Sequence, residues 1–507
     1  MSIALKNAHL LIDTLAKNGA PFFCICPGFR NTSLTLAVKK HPHIVHFDER
    51  GGAFFALGYA KATKRPCPLI VTSGTAVANL FPALMEAKQA QIPLILISAD
   101  RPMELWECGS NQTAAQTNIF SLFTSWSASV DLSSRNMPAR GVSSIAAFSL
   151  QKAKEGPVHI NALCREPFFA DQAPTASPPV TYLVEEGSSS PKNLPYLSGK
   201  TLILLGEKRA HSPATFALAK KHHWPIFADI LSNPYDPKTI KLGDILHALP
   251  EALPDNVLHF GERFVTKKLF HALEKAPPKF YAHISERAAR FDPFHLITDH
   301  FVCKDADFCA QVRGSSDPSY LQYWEGNKAP TGRYTLQQHY LQVLGELLPK
   351  HWAMFLGNST IIRDAGFAFS PKNPPILLGN RGCSGIDGNL ATACGAAQAL
   401  QMPLLAVMGD QAFLHDSNSC AFLQKTPVPV ILLVFNNQGG QIFHTLGICK
   451  PKKVIDELFV AKHSFQFAGI ADTFQLPYSS CHHVEEFPET MKKIFDMKKS
   501  YFVEVQL

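Results

Sequence analysis

No run of apolar residues in the 507-residue chain approaches the roughly 20 positions of a membrane-spanning helix; the longest, such as Val428–Phe435, fall well short. A strong excess of either charge is also missing. Lys+Arg 48 against Asp+Glu 41 leave +7 with histidine neutral, and the two signs are interspersed. So dilute a balance marks neither a nucleic-acid-binding protein nor one held at a membrane surface. None of the 12 cysteines pairs as CxxC, which in a chain of this length points to reduced thiols in a cytoplasmic protein. Cys481, His482 and His483 form the only metal-like cluster. Adjacent histidines cannot easily share one ion, and no second cluster stands at zinc spacing. No secretory segment is expected, because MSIALKNAHLLIDTLAKNGA reads as an amphipathic helix that Gly19 ends, with Asp13 inside any signal-like core.

What the chain has is core material. Its 46% hydrophobic content and its length suit about three domains, each able to bury a core. Over 1–172, PFFCICP, HIVHF, PLIVT and PLILISA alternate with helix-length amphipathic segments, the pattern of a parallel sheet covered on both faces. Residues 173–198, rich in proline, serine and glycine, read as a linker. A middle α/β domain spans 199–330, with TLILLGE, FADI and NVLHFG as strands and no GxGxxG after any of them. The third, 331–507, alternates again through WAMFLGN, PPILLGN, LLAVMGD, VPVILLVFNN and YFVEVQL. The expected fold is α/β, with three doubly wound domains and mainly parallel sheets. In such sheets ligands sit beyond the carboxyl ends of the strands.

Gly409 and Asp410 end one of these strands, and Asn436 and Asn437 end the next. Asp410 and Asn437 are 27 positions apart, about the length of strand, crossover helix and parallel neighbour, so carboxylate and amide arrive side by side at one sheet edge. A hard divalent cation that keeps phosphate oxygens takes such a set, with the Gly439 carbonyl as a third ligand. Flanking glycines let the backbone approach a diphosphate. The competing explanation is that GD and NN simply terminate two strands, where these residue types are common.

The arrangement resembles the magnesium-diphosphate motif of thiamine diphosphate enzymes, with Gln411 where that family usually has a third glycine. In those enzymes a glutamate from the other α/β domain bonds N1′ of the aminopyrimidine and favours the tautomer that activates C2. HIVHFDERGGAFFALGYAKA places Glu49 there, with Asp48 as an N-cap. The further segments TSGTAVANLFPALMEA, LISADRPMELWECGSNQTAAQ, NSTIIRDAG and GNRGCSGIDG look like those of the 2-succinyl-5-enolpyruvyl-6-hydroxy-3-cyclohexene-1-carboxylate synthases of menaquinone biosynthesis.

That resemblance implies decarboxylation of 2-oxoglutarate and 1,4-addition of the succinyl carbanion equivalent to isochorismate. It also implies thiamine diphosphate and Mg2+ as cofactors, with Mn2+ as a substitute, and a homodimer or homotetramer with active sites at subunit interfaces. Carried over residue by residue, Glu49, Ser359, Arg363 and Arg381 are catalytic. Arg30, Arg101, Asn111, Gln112 and Lys267, with Lys268 as its rival, bind substrate together with Ser359, Arg363 and Arg381. Gly409, Asp410, Gln411, Asn437, Gly439, Ser384, Gly385, Ile386 and Phe443 contact the cofactor beside Glu49, and Asp410, Asn437 and Gly439 hold the metal. Several arginines suit substrates that bring three carboxylates, because a guanidinium binds a carboxylate in planar, bidentate fashion.

The chain departs from the family at Phe29 and Asn31, where a serine commonly stands on each side of Arg30. Phe29 either turns into the core or reshapes the second-substrate site. Alternatives are another thiamine diphosphate-dependent 2-oxoacid decarboxylase or carboligase, or a fold kept without catalysis.

Overall fold

The computed structural model describes residues 2–106, 112–165, 194–208, 210–232, 239–266, 268–286, 292, 294, 296–328, 334–373, 375–382, 384–445 and 452–507. The chain divides into two compact units, one of Met1–Val184, Asn380–Ser480 and Lys498–Val505, the other of Glu185–Gly379, Cys481–Met497 and Gln506–Leu507. Among the described residues no helix is long and apolar enough to cross a membrane.

The first unit opens with the helix Ile3–Asn18, started by the Ser2 hydroxyl, which accepts the Leu5 N–H at 3.1 Å, and closed at Gly19 with φ 137°. Strands β1 (Phe23–Ile25), β2 (His43–Val45), β3 (Cys67–Val71), β4 (Leu94–Asp100), β5 (Trp126–Asp131) and β6 (Val158–Leu163) follow. They lie in the order β2-β1-β3-β4-β6-β5, every pair parallel. β4 is buried along its whole length, as a strand covered on both faces must be. Leu11, Leu15, Phe23, Ile95, Ile97, Val142 and Ile160 belong to the core on one face. The order reverses at β1, whose neighbours β2 and β3 leave on opposite sides, and such a switch opens a crevice beyond the strand ends.

The second unit carries β7 (Tyr196–Leu197), β8 (Thr201–Leu205), β9 (Ile226–Ala228), β10 (Asn256–Phe260), β11 (Phe280–Ser285), β12 (Asp299–Val302), β13 (Arg313–Gly314), β14 (Ala353–Leu356) and β15 (Ile376–Leu378). Its central sheet runs β12-β11-β10-β8-β9, all parallel. Alternation sends Leu202 and Leu204 into one core with Trp324, and Ile203 and Leu205 into the other with Phe308. β14 and β15 also pair in parallel. Of the expected linker, 173–193 lie outside the described residues, while Tyr196–Leu197 instead pairs with Arg313–Gly314.

Back in the first unit, β16 (Leu404–Gly409) and β17 (Val430–Asn436) pair in parallel from Leu404↔Val430 to Gly409↔Phe435. β18 (Tyr478–Cys481) and β19 (Tyr501–Gln506) are the last of the described strands. The helices Glu49–Thr63 and Asn389–Leu400 touch backbone to backbone. A Cβ on Gly58 would lie 2.0 Å from the Thr392 carbonyl oxygen, and one on Gly395 2.0 Å from that of Phe55, so both positions require glycine.

Candidate active site

Two arginines stand at the strand ends of the first sheet. Beyond β1, Asn31 is fully buried and ties the turn, its Oδ1 accepting the Gly28 N–H at 2.8 Å and its Nδ2 donating to the Cys26 carbonyl at 2.9 Å. An asparagine thus does locally what a turn needs at this position. Arg30 follows, largely buried, with Nη1 donating to the Cys164 carbonyl at 3.0 Å. Phe29 does not enter the core: it is 69% exposed. Beyond β4, Arg101 donates to Ser73 Oγ and to the Gln112 carbonyl, the latter at 2.9 Å, and Gln112 Nε2 donates to the Ser73 carbonyl at 2.8 Å. Burial pushes the Asp100 carboxyl up, while Asn161 and the Arg101 amide pull it down. Asn111 lies outside the described residues.

Glu49 opens the helix that follows β2. Asp48 caps that helix, its Oδ1 accepting from Arg50 N at 3.0 Å and Gly51 N at 3.3 Å, which satisfies donors that would otherwise be orphaned. The flanking side chains face the chain's own 415–418 segment: Asn418 Nδ2 donates to Asp48 Oδ2 at 3.3 Å, and Arg50 donates to the His415 carbonyl. His46 stacks on Phe422 with ring centroids 3.9 Å apart, and burial lowers it to about 4, so it is neutral near pH 7. Glu49 stands between these anchored residues, and its carboxylate accepts no hydrogen bond among the described residues.

At the ends of β16 and β17 the Asp410 carboxylate is buried and organises its surroundings. Oδ1 accepts Gln411 N at 2.6 Å; Oδ2 accepts Gly439 N at 2.9 Å and Asn437 N at 3.1 Å. Burial pushes its carboxyl up, against the pull of the Gly439 and Gln411 amides and of His463. One terminal atom of the Asn437 amide lies 3.3 Å from Asp410 Oδ2 and 2.6 Å from the Gly439 carbonyl oxygen, and both neighbours are acceptors. With nitrogen at that position the amide donates to both. Turned over, its oxygen joins theirs, and a carboxylate, an amide oxygen and a carbonyl converge as a hard divalent cation requires. These residues therefore fit a magnesium ion. Asn436 turns the other way, donating to Glu504 Oε1 at 2.6 Å. Gly439, at φ 137°, leaves no room for a Cβ, which would lie 2.7 Å from the Val460 carbonyl oxygen. The Gln411 amide nitrogen donates to that same carbonyl at 3.0 Å. Phe443 is partly buried against Phe459, with centroids 5.7 Å apart.

Arg381 is half-buried, and Ser384, Gly385 and Ile386 lead into the helix Asn389–Leu400. Gly388, at φ 65°, caps it, and a Cβ there would meet the Phe54 ring at 2.0 Å. The Ala391 N–H in the first turn of that helix is taken by the Asp416 carboxylate, at 2.9 Å.

In the second unit Ser359, at φ 73°, caps the helix Thr360–Ala368, and Arg363 donates to its carbonyl. Arg363 also lines a cavity of about 420 Å³ with Asp229, Lys241, Tyr334, Phe367 and Lys372. Lys267 lies outside the described residues; Lys268, exposed, begins the helix Lys268–Lys275.

Sequence reasoning missed several residues of the first unit. Gln116, buried, accepts Gly74 N at 2.9 Å and donates to Asn161 Oδ1 at 3.1 Å, holding the β3 and β6 ends together. It stands within SNQTAAQ, so its motif was visible though its role was not. His463 brings Nε2 to 3.3 Å from Asp410 Oδ2, a close electrostatic contact without hydrogen-bond alignment, while Nδ1 accepts Phe465 N at 3.2 Å. No motif flagged it.

Residues 5–122 match the family described as thiamine pyrophosphate enzyme, N-terminal TPP binding domain; 187–343 match the middle domain of thiamine pyrophosphate enzymes; and 357–505 match the C-terminal TPP binding domain. A 2-succinyl-5-enolpyruvyl-6-hydroxy-3-cyclohexene-1-carboxylate synthase of Chlorobium limicola is 33% identical over 98% of this chain and 94% of its own length. Synthases of the same name from Rubrobacter xylanophilus, 33% identical over 93% and 90%, and Shewanella frigidimarina, 32% over 98% and 94%, are similar too.

Proposed function

Because the chain belongs to the thiamine diphosphate-dependent 2-succinyl-5-enolpyruvyl-6-hydroxy-3-cyclohexene-1-carboxylate synthases, we propose that it decarboxylates 2-oxoglutarate and adds the resulting succinyl unit to isochorismate in a 1,4 manner. It is a transferase. The observation that carries the reading is the convergence of Asp410, the Asn437 amide and the Gly439 carbonyl, a ligand set for Mg2+ or Mn2+ beside a glycine-lined approach. Thiamine diphosphate, when bound, supplies the thiazolium carbon at which a 2-oxoacid can lose CO2 and pass on its acyl group.

The chain's own residues do the rest. Asp410, Asn437 and Gly439 would hold the cation, and the amides before the helix Asn389–Leu400, with Ser384 and Gly385, would receive the diphosphate. Ile386 and Phe443 would shape the apolar wall, with Gly409 and Gln411 at the strand end. Glu49 would hold a proton at N1′ of the aminopyrimidine. A second copy of the chain would complete the site, in a homodimer or homotetramer with active sites at subunit interfaces. Arg30, Arg101, Arg363 and Arg381 would bind substrate carboxylates, with Asn111, Gln112, Lys267 and Ser359 as polar contacts; of these, Arg101 and Gln112 already brace each other. A cytoplasmic location accompanies this reading.

Following isochorismate consumption while omitting magnesium, thiamine diphosphate or 2-oxoglutarate in turn tests it. Consumption is expected to stop at each omission. Consumption without the cofactor would end the cofactor assignment, and CO2 release with isochorismate untouched would end the second-substrate assignment.

A further inference from the structure

Two buried carboxylates grip the segment that carries Arg381, Ser384, Gly385 and Ile386, and neither has a part in the reaction as described so far. At the near end is Glu86, on the helix Phe81–Gln89 and only 2% exposed; its Oε1 accepts the Gly382 N–H at 2.9 Å. The approach is close enough that a Cβ on Gly382 would lie 2.6 Å from the Glu86 carbonyl oxygen and 2.9 Å from Oε2. At the far end is Asp416, 3% exposed, in the connection that follows the Asp410 helix. Its Oδ2 accepts Ala391 N at 2.9 Å and its Oδ1 accepts the Ser419 hydroxyl at 2.6 Å. Ala391 is in the first turn of the helix Asn389–Leu400, where an anion is favoured by the helix dipole. Between the two ends, Asn389 Nδ2 donates to the Ile386 carbonyl at 2.6 Å.

A carboxylate taken out of water is costly unless charge-assisted hydrogen bonds offset the lost hydration. Here each gives one oxygen to a backbone amide of the same short segment, and Asp416 gives its other to the Ser419 hydroxyl. We propose that Glu86 and Asp416 are positioning residues, one at Gly382 and the other at Ala391, whose carboxylates fix the backbone that presents Arg381 to substrate and Ser384, Gly385 and Ile386 to thiamine diphosphate. The proposal rests on the function given above. Asp416 adds a link between parts of the site, since it leaves the element begun by Asp410 and caps the helix entered from Ile386.

The test compares Glu86→Ala and Asp416→Ala with Glu86→Gln and Asp416→Asn, which lose the charge and keep one acceptor oxygen for the backbone amide, the other becoming an NH2 donor. Glu86→Asp and Asp416→Glu keep the charge but move the acceptor, and they serve if the alanine chains fail to fold. Two quantities are read: hydrogen exchange at the Gly382 and Ala391 amides in cofactor-free protein, and the Kd of thiamine diphosphate with magnesium. The alanine and displaced-acid variants are expected to exchange faster at the amide concerned and to bind the cofactor about tenfold more weakly or worse, as loss of a charged hydrogen bond implies. The amide variants should recover most of both. Asp305→Ala, which removes another buried acid paired with Lys208 at 2.8 Å, should lower the melting temperature and leave this Kd unchanged. Wild-type exchange and Kd in the alanine and displaced-acid variants, or a Kd that follows melting temperature equally in Asp305→Ala, would overturn the proposal. Failure of unsubstituted protein to bind the cofactor would instead sink the functional reading, and exchange would still decide whether the carboxylates hold the segment.

Discussion

Asp410 Oδ2 accepts the backbone N–H of Gly439 at 2.9 Å across 29 positions of sequence. The carboxylate that ends one strand thereby fixes the turn that ends the next, and brings the Gly439 carbonyl and the Asn437 amide toward itself. The three groups proposed to hold the cation are thus drawn together by hydrogen bonds within the chain.

Asp410→Ala therefore removes both the carboxylate proposed to hold the cation and the brace of the Asn437–Gly439 turn. Magnesium-dependent affinity for thiamine diphosphate should fall by at least about 100-fold, beyond the range seen when only an outer partner of a metal ligand is lost. Titration with cofactor at fixed magnesium measures it. An unchanged Kd would place the metal elsewhere.

Glu49→Gln keeps the shape and removes the carboxylate. Cofactor binding should persist within a few-fold, while exchange of the C2 proton, followed by NMR after deuterium quench, slows by about 100-fold or more, as general acid–base roles warrant. Wild-type exchange would remove Glu49 from the proton path.

Arg363→Ala and Arg381→Ala should each weaken recognition of a carboxylate substrate by roughly 1.5 to 3 kcal/mol, visible as a fall in kcat/KM. The cofactor Kd should change little for Arg363→Ala. An arginine whose loss leaves every kinetic constant unaltered has no place in the site.

The pH dependence of stability follows from buried histidines. Burial lowers His46 and His159 to about 4, from an ordinary value of 6.5. The unfolded chain takes up these protons first, so the stabilisation is present above about pH 6.5 and is lost as pH falls toward 4. His159→Gln, opposite the Ser98 hydroxyl that lies 2.7 Å from His159 Nε2, should flatten the decline by about 2 to 3 kcal/mol over that window. Urea unfolding at stepped pH checks it, and an identical slope in the variant would contradict the assignment.

The strands that announce themselves in sequence are those made of unbroken apolar residues. LLAVMG and VILLVFN are β16 and β17, and LILISAD is β4. By contrast WSASVD, VHINAL and YSSC, which are β5, β6 and β18, mix polar residues into short strands and give no such signal. Asn161 and His159 are buried on β6 because they bond Ser98 and Gln116 on neighbouring elements, partners that no local pattern specifies. The same limit applies to the site. Asp410, Asn437 and Glu49 stand in local motifs at strand ends, whereas Glu86 meets Gly382 across 296 positions and His463 meets Asp410 with no shared motif. Phe29 was ambiguous in sequence because a phenyl ring suits either core or surface; its exposure excludes the core.

The most direct measurement is the mass of the product formed from isochorismate and 2-oxoglutarate labelled at C1, with magnesium and thiamine diphosphate present. An adduct of isochorismate with the unlabelled succinyl unit, together with labelled CO2, is the expected result. Labelled CO2 with isochorismate recovered unchanged would contradict the synthase assignment and leave a thiamine diphosphate-dependent decarboxylase.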